Sequence, residues 1–415
     1  MTVEDMKIGR RSLLKTMAAA GVLTVAPARF AFAATDRRLV VVILRGALDG
    51  LAAVPPYGDK DYSAIRGSLS LSATGTGALH DLDGFFGLHP ALTNLKGLYD
   101  AKQLLVFHNI CSPYRDRSHF DGQNVLESGG ASPHLLQDGW LNRALAPIGM
   151  AHGDHALAIA QSAPLVLTGP AETSSWMPAV LPAPDELFLA QVRGLYASDA
   201  VLKQSLDSAL ALQAQAENAM DDSASRAMGK GKANGSALAG GAYGNLMPLF
   251  QGAGKLLAAA DGPRIATLEA SGWDTHVAQG AADGQLSRRL QTLDAAIDAL
   301  RVAMGPQVWN KTAVVMATEF GRTVHPNGSG GTDHGTGGAA FLFGGAVAGG
   351  SIRAEWVGLT ADKLKDGRDQ PARSDLRSLF KGVLAEQMGV PASALESTVF
   401  PDSASAAPFK GLIRA

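Results

Sequence analysis

Cysteine is almost missing from this sequence: Cys111 is the one such residue in 415. That excludes a disulfide scaffold and any CxxC metal site. Charge is also scarce. Only 18% of the residues are Asp, Glu, Lys or Arg, against about 25% in an average globular chain. The 36 basic residues are matched by 38 acidic ones, so no basic footprint for nucleic acid exists. No apolar run approaches the roughly 20 residues of a stable membrane span. No segment repeats with a period of about 20–50 residues. What is plentiful is apolar residues, at 46%, and glycine, at 48 residues. The first excludes global disorder, and the absence of a Gly triplet period excludes a collagen-like chain.

The beginning of the chain reads as a targeting segment. Arg10 and Arg11 open the run RRSLLKTMAAAGVLTVAPA, and Ala31 to Ala33 form a small-x-small ending. A basic flank, a short apolar stretch and such an ending make a secretory signal. Paired arginines followed by Ser-Leu-Leu-Lys make it a twin-arginine signal. Pro27 and Arg29 break the apolar stretch, so it is too poor for a span. The expectation is a signal at 1–33, export to the periplasm or outside the cell, and no stable span after processing. A chain with one cysteine also needs no oxidative folding after export. Cys111 itself reads as a small buried apolar residue.

Short apolar runs follow at Leu39–Leu44, Leu104–Ile110, Ala156–Ala160, Ile265–Leu268, Thr312–Thr318 and Phe341–Phe343. Continuous rather than alternating runs suit strands buried on both faces. Between them, Leu286, Leu290, Leu293, Ile297, Leu300 and Met304 step by four and three, tracing one helix face. Further helical stretches are expected at 186–217, 374–388 and Ser118–Leu126. Alternating strands and helices predict an α/β fold with a central, mainly parallel sheet and helices on both faces. The segment 221–241 is small, polar and Gly-rich and reads as a surface loop. Residues 34–415 are expected to form one domain with a helical insertion at about 186–241.

Ligands collect at the carboxyl ends of strands in parallel sheets, and polar residues cluster there. Asp49 follows the first run in a Gly-flanked turn. Arg117, Ser118, His119 and Asp121 follow the second. Asp274 and His276 follow the run at 265–268, Glu319 and Arg322 the run at 312–318, and Asp333 and His334 precede the last. Asp274 and His276 flank one residue and point the same way in an extended segment. A carboxylate and an imidazole are suitable metal ligands, although a turn aspartate beside a surface histidine is the blander reading. A carboxylate at Glu319, after the most apolar strand, needs a partner or a metal. Arg322 offers an ordinary ion pair for it. Asp49 reads equally as a turn or cap residue, and Ser118 as the N-cap of a helix. The functional reading of Ser118 is a nucleophile or anion site. Arg45 is a further anion-binding candidate and His325 an auxiliary site residue. His108, inside a strand, reads as a satisfied core residue.

Taken together, LVVVILRGALDGL, LHPAL, RSHFDGQNVLESG, GWDTH, ATEFGRT, GTDHGTGG and DGRDQPARSDLRSLF resemble one family throughout, the twin-arginine-exported DUF family 1501. The resemblance spans about residues 37–390. That family is similar in turn to the alkaline phosphatase, sulfatase and cofactor-independent phosphoglycerate mutase superfamily. The resemblance implies an alkaline phosphatase-like α/β fold. It also implies a divalent metal site (Zn, Mn, Fe or Ca) built from Asp49, Asp274, His276, Glu319 and His334. Ser118 would be the nucleophile, with Arg117 and Arg322 beside it and His119, Asp121, His325, Asp333 and Arg45 as auxiliaries. Two departures stand out. The strand-end Asp-His pair of the superfamily is here Glu319-Phe320, and Asp274 and His276 are spaced i, i+2 where i, i+4 is usual. A first ion on Asp274, His276 and His334 stays compatible with the resemblance. A second, on Asp49, Glu319 and Ser118, is poorly supplied unless His325 or His119 completes it; otherwise the site holds one ion or none.

Two functions are compatible with this. One is an exported metal-dependent hydrolase of phosphate or sulfate esters, acting on an anionic small molecule or cell-surface component. The other is a non-catalytic binding or assembly protein of the cell envelope that keeps the fold. Members of the resembled family are often encoded beside another exported family, which implies an exported partner protein.

Overall fold

The computed structural model describes residues 36–153, 155–178, 186–219 and 246–415. The signal expected at 1–33 and the loop expected at 221–241 lie outside these residues. Each apolar run becomes a strand: β1 (Arg38–Arg45), β2 (Leu104–Cys111), β3 (Ala156–Ile159), β5 (Ile265–Ser271), β6 (Thr312–Thr318) and β7 (Gly338–Phe343). Shorter strands β4 (Ser174–Trp176), β8 (Ser351–Ala354) and β9 (Ser374–Asp375) join them, while His80–Asp81 and Gly87–Leu88 form a separate two-stranded pair. Among the described residues these nine make one sheet in the order β8-β2-β7-β6-β1-β5-β3-β4, with β9 beside β2. Six pairings are parallel. The two exceptions both belong to β7, which runs against β2 and β6.

The α/β architecture with a mainly parallel sheet and helices on both faces is therefore present. Its helices include α1 (Gly50–Ala53), α2 (Tyr62–Arg66), α3 (Thr93–Asp100), α4 (His119–Ser128), α5 (Glu186–Tyr196), α6 (Ala200–Ala219), α7 (Leu246–Ala258), α8 (Gln285–Trp309) and α9 (Leu376–Met388), with a shorter one at Trp140–Leu145. Strand β1 shows how the layers form. Val40, Val42 and Leu44 pack on one face with Leu95 of α3, Phe250 of α7 and the Leu286–Met304 stripe of α8. Leu39, Val41 and Ile43 pack on the other with Trp140 and the Leu379, Val383 and Leu384 side of α9. Alternate residues of a strand point to opposite faces. A run with no polar alternation therefore has to be covered twice. Each side chain so buried stabilises the fold by about 1.5–3 kcal/mol relative to exposure.

Three expected helices have different limits, that at Ser118–Leu126 running from His119 to Ser128 with Ser118 as its N-cap. The stretch at 186–217 is divided into α5 and α6, because Asp199 caps a new start by accepting from the backbone N–H groups of Val201 and Leu202. Helix α9 begins after Asp375, whose carboxylate accepts from the N–H of Arg377. Among the described residues no helix is long and apolar enough to cross a membrane.

Candidate metal centre

Four chain segments meet at one edge of the sheet. Parallel strands β1, β5 and β6 all end there, followed by Gly46, by Trp273 to His276, and by Glu319. Because β7 is antiparallel, its beginning lies at the edge where its neighbours end. The loop leading into it, 331–337, is thereby delivered to the same place. Backbone contact locks these loops together. A Cβ on Gly331 would overlap the backbone of His276, and one on Gly335 the backbone of Arg322. Arg322 and His334 also pair as an isolated antiparallel bridge.

Here His119, His276 and His334 converge on Asp274. The Nε2 of His334 lies 2.9 Å from the Nε2 of His119 and 3.0 Å from that of His276. Asp274 Oδ1 is 2.9 Å from His276 Nε2 and 3.2 Å from His334 Nε2, and its Oδ2 is 3.4 Å from His119 Nε2. The ligand atoms of His119, Asp274 and His334 all fall within 4.8 Å of one another.

The opposite nitrogen of each ring is held by an acceptor. His119 Nδ1 donates to Glu319 Oε1 at 2.8 Å, His276 Nδ1 to Asp333 Oδ1 at 3.0 Å, and His334 Nδ1 to the carbonyl of Arg117 at 2.8 Å. A backbone carbonyl has no proton to give and the carboxylates are ionised, so each Nδ1 carries the hydrogen. Each neutral ring then presents a bare lone pair at Nε2. The Nε2 of His334 stands about 3 Å from both other Nε2 atoms and from Asp274, so these lone pairs require either a proton on one ring or a cation among them. Ligands 2.0–2.1 Å from a tetrahedral ion are roughly 3.3 Å apart, close to the spacings here. An Nδ1–H held by a carboxylate or carbonyl is the support that metal-bound histidines carry. The donor set therefore fits a divalent ion. Three imidazoles and one carboxylate suit Zn, Mn or Fe, whereas Ca takes oxygen ligands and fits poorly.

The electrostatics follow from these contacts. Burial would raise the Asp274 carboxyl, but the guanidinium of Arg322, hydrogen-bonded to Oδ1, holds it below the usual range. Glu319 is fully buried, and burial likewise pushes it up. Hydrogen bonds from His119, from Gln123 Nε2 at 3.1 Å and from the N–H of Gly46 at 2.8 Å outweigh this and keep it low. The bond to Glu319 raises the His119 pKa against the effect of burial. Burial lowers that of His334. Bonds from Asn327 and His276 keep Asp333 ionised. His119 also stacks on Phe320, centroids 5.0 Å apart. Gly122 permits this, since a Cβ there would press on the Phe320 ring at 3.0 Å.

Several expected site residues have other partners. Asp49 is buried: Oδ1 accepts from the N–H groups of Leu51 and Ala52, and Oδ2 from Arg66 at 2.5 Å and Gln279 at 2.8 Å. It caps α1 and pairs with Arg66, leaving no free lone pair aimed at an ion. Glu319 holds His119 rather than offering itself, and Arg322 pairs with Asp274, not with Glu319. A second ion on Asp49, Glu319 and Ser118 thus finds no open donor set. Arg117 is bound to Asp369 at 2.5 Å and Asp366 at 3.1 Å. Its left-handed backbone, φ 63°, aims its carbonyl at His334. Arg45 pairs with Glu127 and Glu269 and donates to Gln123, which touches Glu319. Asp121 faces Tyr114 and His134. His325 is exposed, its carbonyl accepting from Thr323. Ser118 holds the N-cap position of α4, yet its side chain caps nothing. Cys111 is buried as expected, which pushes its thiol up to about 11. His108 is buried beside Asn109, with its Nε2 unpartnered among the described residues.

Residues 107–399 match the family described as protein of unknown function DUF1501. The chain belongs to the DUF1501 family. Among curated proteins no relative matched this DUF1501 chain by sequence. Three solved structures are similar at a distance. The C-terminal periplasmic domain of EcEptC from Escherichia coli, in complex with Zn, is 9% identical, with 74% of this chain and 72% of that chain covered and a TM-score of 0.36. Ps i-CgsB in complex with k-i-k-neocarrahexaose is 11% identical, with 90% and 77% covered and a TM-score of 0.37. The phosphonate monoester hydrolase of Agrobacterium radiobacter is 11% identical, with 86% and 74% covered and a TM-score of 0.35.

Proposed function

We propose that this DUF1501 protein is an exported, metal-dependent hydrolase of phosphate or sulfate esters that holds one divalent ion on His119, Asp274, His276 and His334. The observation that carries the reading is the convergence of three Nε2 atoms whose Nδ1 partners are all acceptors. A divalent ion supplies Lewis-acid polarisation of an ester oxygen. The chain's own residues do the rest. Glu319, Asp333 and the Arg117 carbonyl fix the three imidazoles, and Arg322 fixes the carboxylate of Asp274. The cluster side chains are 22% to 39% exposed, so an ester reaches them from solvent without a deep cavity.

Ser118 is the nucleophile in this reading. It adjoins His119, and its hydroxyl makes no cap hydrogen bond that would have to be broken. Its hydroxyl would give up its proton to solvent as its oxygen forms the bond to phosphorus or sulfur, the ester oxygen would depart as an alcohol by taking a proton from solvent, and water would later hydrolyse the serine ester to restore the hydroxyl. Export rests on the twin-arginine pattern of the first residues. The deciding experiment is metal analysis of the purified protein beside His334→Ala, with turnover of an aryl phosphate and an aryl sulfate. One equivalent of metal, lost in the variant, together with turnover that Ser118→Ala abolishes, is the expected result. A protein that takes up no divalent ion refutes the reading and leaves the envelope-binding alternative.

A further inference from the structure

The stretch GRDQP at 367–371 supplies no ligand, yet three of its residues brace the loop that carries His334. Arg368 donates from Nη2 to the carbonyl of His334 at 2.8 Å. Its own carbonyl accepts from the N–H of Val324 at 2.9 Å. The Gln370 carbonyl accepts from Thr336 Oγ1 and from the N–H of Gly337, both at 2.8 Å. Asp369, between them, is buried and reaches the cluster by another route. Its Oδ2 accepts from Nε and Nη2 of Arg117 at 2.9 and 2.5 Å.

Arg117 bears on the cluster through its backbone. Its carbonyl accepts the Nδ1–H of His334 at 2.8 Å, which leaves Nε2 of that ring facing the other ligands. To point there the residue takes φ 63°, a conformation that is unfavourable for a residue with a Cβ and that glycine adopts freely. A strained backbone persists only where its surroundings hold it. The hold here is on the side chain. The guanidinium is 24% exposed and the Asp369 side chain 0%, and a charge-assisted contact of two bonds to one buried carboxylate is strong. Asp366, the other partner at 3.1 Å, is 60% exposed and adds little.

We infer that Asp369 is a positioning residue of the metal centre: by pinning the Arg117 side chain it keeps that backbone left-handed, and the carbonyl so held fixes His334 with Nε2 turned to the ion. This rests on the metal-binding part of the proposed function and not on ester hydrolysis. The Asp369 carboxylate pairs with Arg117 and Arg368, neither of which is a ligand. It acts through Arg117 on His334, and the strain at Arg117 is what makes an anchor necessary.

The test has two readouts on the full-length protein. One is zinc affinity by chelator competition. The other is the Nδ1–H resonance of His334 in metal-free protein labelled at histidine, assigned by its loss in His334→Ala. Asp369→Ala should remove the resonance and weaken zinc binding about tenfold. Both guanidiniums can then turn to solvent, so the fold should survive, and circular dichroism checks it. Adding Arg117→Gly to Asp369→Ala should restore the resonance and most of the affinity, because glycine needs no anchor at this φ. Adding Arg117→Ala should not. The two double variants differ by one Cβ, and their zinc affinities should differ about tenfold. A merely structural role for Asp369 would weaken both alike. A resonance that survives Asp369→Ala, or equal affinity in the two double variants, overturns the inference. A wild-type protein that takes up no zinc refutes the metal reading, and the resonance then judges the hold on His334 by the same criteria. Should Asp369→Ala fail to fold, the single variants Arg117→Gly and Arg117→Ala are compared in its place, and equal behaviour overturns the inference.

Discussion

Replacing Asp49 separates its two possible roles, ligand and structural ion. The residue is 1% exposed and its partner Arg66 0%. Asp49→Asn keeps an oxygen to cap α1 but removes the charge facing Arg66. Leaving one member of a buried pair uncompensated costs about 3–5 kcal/mol. Arg66 also donates to the carbonyls of Thr323 and Val324, which places the expected loss near the lower end, about 3 kcal/mol. Asp49→Ala should cost about 1 kcal/mol more, because two N–H groups of α1 lose their acceptor. Combining Asp49→Asn with Arg66→Met should recover part of the loss, since no unpaired charge then remains. Urea unfolding followed by fluorescence gives these differences from the shift in midpoint at constant slope. Metal content measured on the same samples should not change. The pH dependence has a definite sign. Burial raises the Asp49 carboxyl, but the charge of Arg66 and the bond from Gln279 outweigh it and hold the pKa down. A depressed carboxyl contributes stability that is complete above its unfolded value, about 3.9, and lost as pH falls through its folded value. The gap between wild type and Asp49→Asn should therefore be flat from pH 8 to about 5 and narrow only in more acid solution. An Asp49→Asn protein that loses its metal yet unfolds at the wild-type urea concentration would refute this reasoning and restore Asp49 as a ligand.

Three further outcomes follow from contacts described above. Glu319→Gln, which breaks the carboxylate hold on His119, should weaken metal binding by about 10–100-fold in a chelator competition; unchanged affinity would remove His119 from the ligand set. Gly335→Ala should abolish metal uptake while far-ultraviolet circular dichroism stays native, because the overlap falls on the Arg322 backbone within the loop and not on the core; normal uptake would show that the loop has room. Asp294 accepts from the N–H groups of Asn94 and Leu95 at the start of α3. Asp294→Ala should therefore lower stability by about 1–3 kcal/mol in urea unfolding, and no shift in midpoint would refute the tie.

The sheet was legible where burial on both faces leaves a pure apolar run, as at Leu39–Leu44 and Thr312–Thr318. Direction was not. A six-residue strand with no polar face reads alike forwards and backwards, so the reversal of Gly338–Phe343 became visible only through its pairing. The meeting of Asp274, His276 and His334 could be anticipated from their position after or before strands. The weight of His119 could not, because the signal lay in its partner Glu319, whose nearest basic neighbour in sequence was Arg322. Asp49 misled for a related reason. Its true partner, Arg66, sits in an unremarkable YSAIR stretch with nothing to mark it. Spacing reveals groups on one loop or helix face, whereas pairs across loops depend on how the loops pack.

The position of β1 carries a consequence for how the molecule forms. This strand lies between β5 and β6, and its first residues pair with Ile265 and Thr312. Both partners are made long after it. Until they arrive, an eight-residue strand with a six-residue apolar run has both hydrogen-bonding edges open, the state in which chains pair with the wrong neighbour. Contacts so distant in sequence make folding slow. Assembly of the sheet, and with it the convergence of the three histidines, is therefore a late event that needs nearly the whole chain. During synthesis the strand has to be kept from other strands before it can hold the centre of its own sheet.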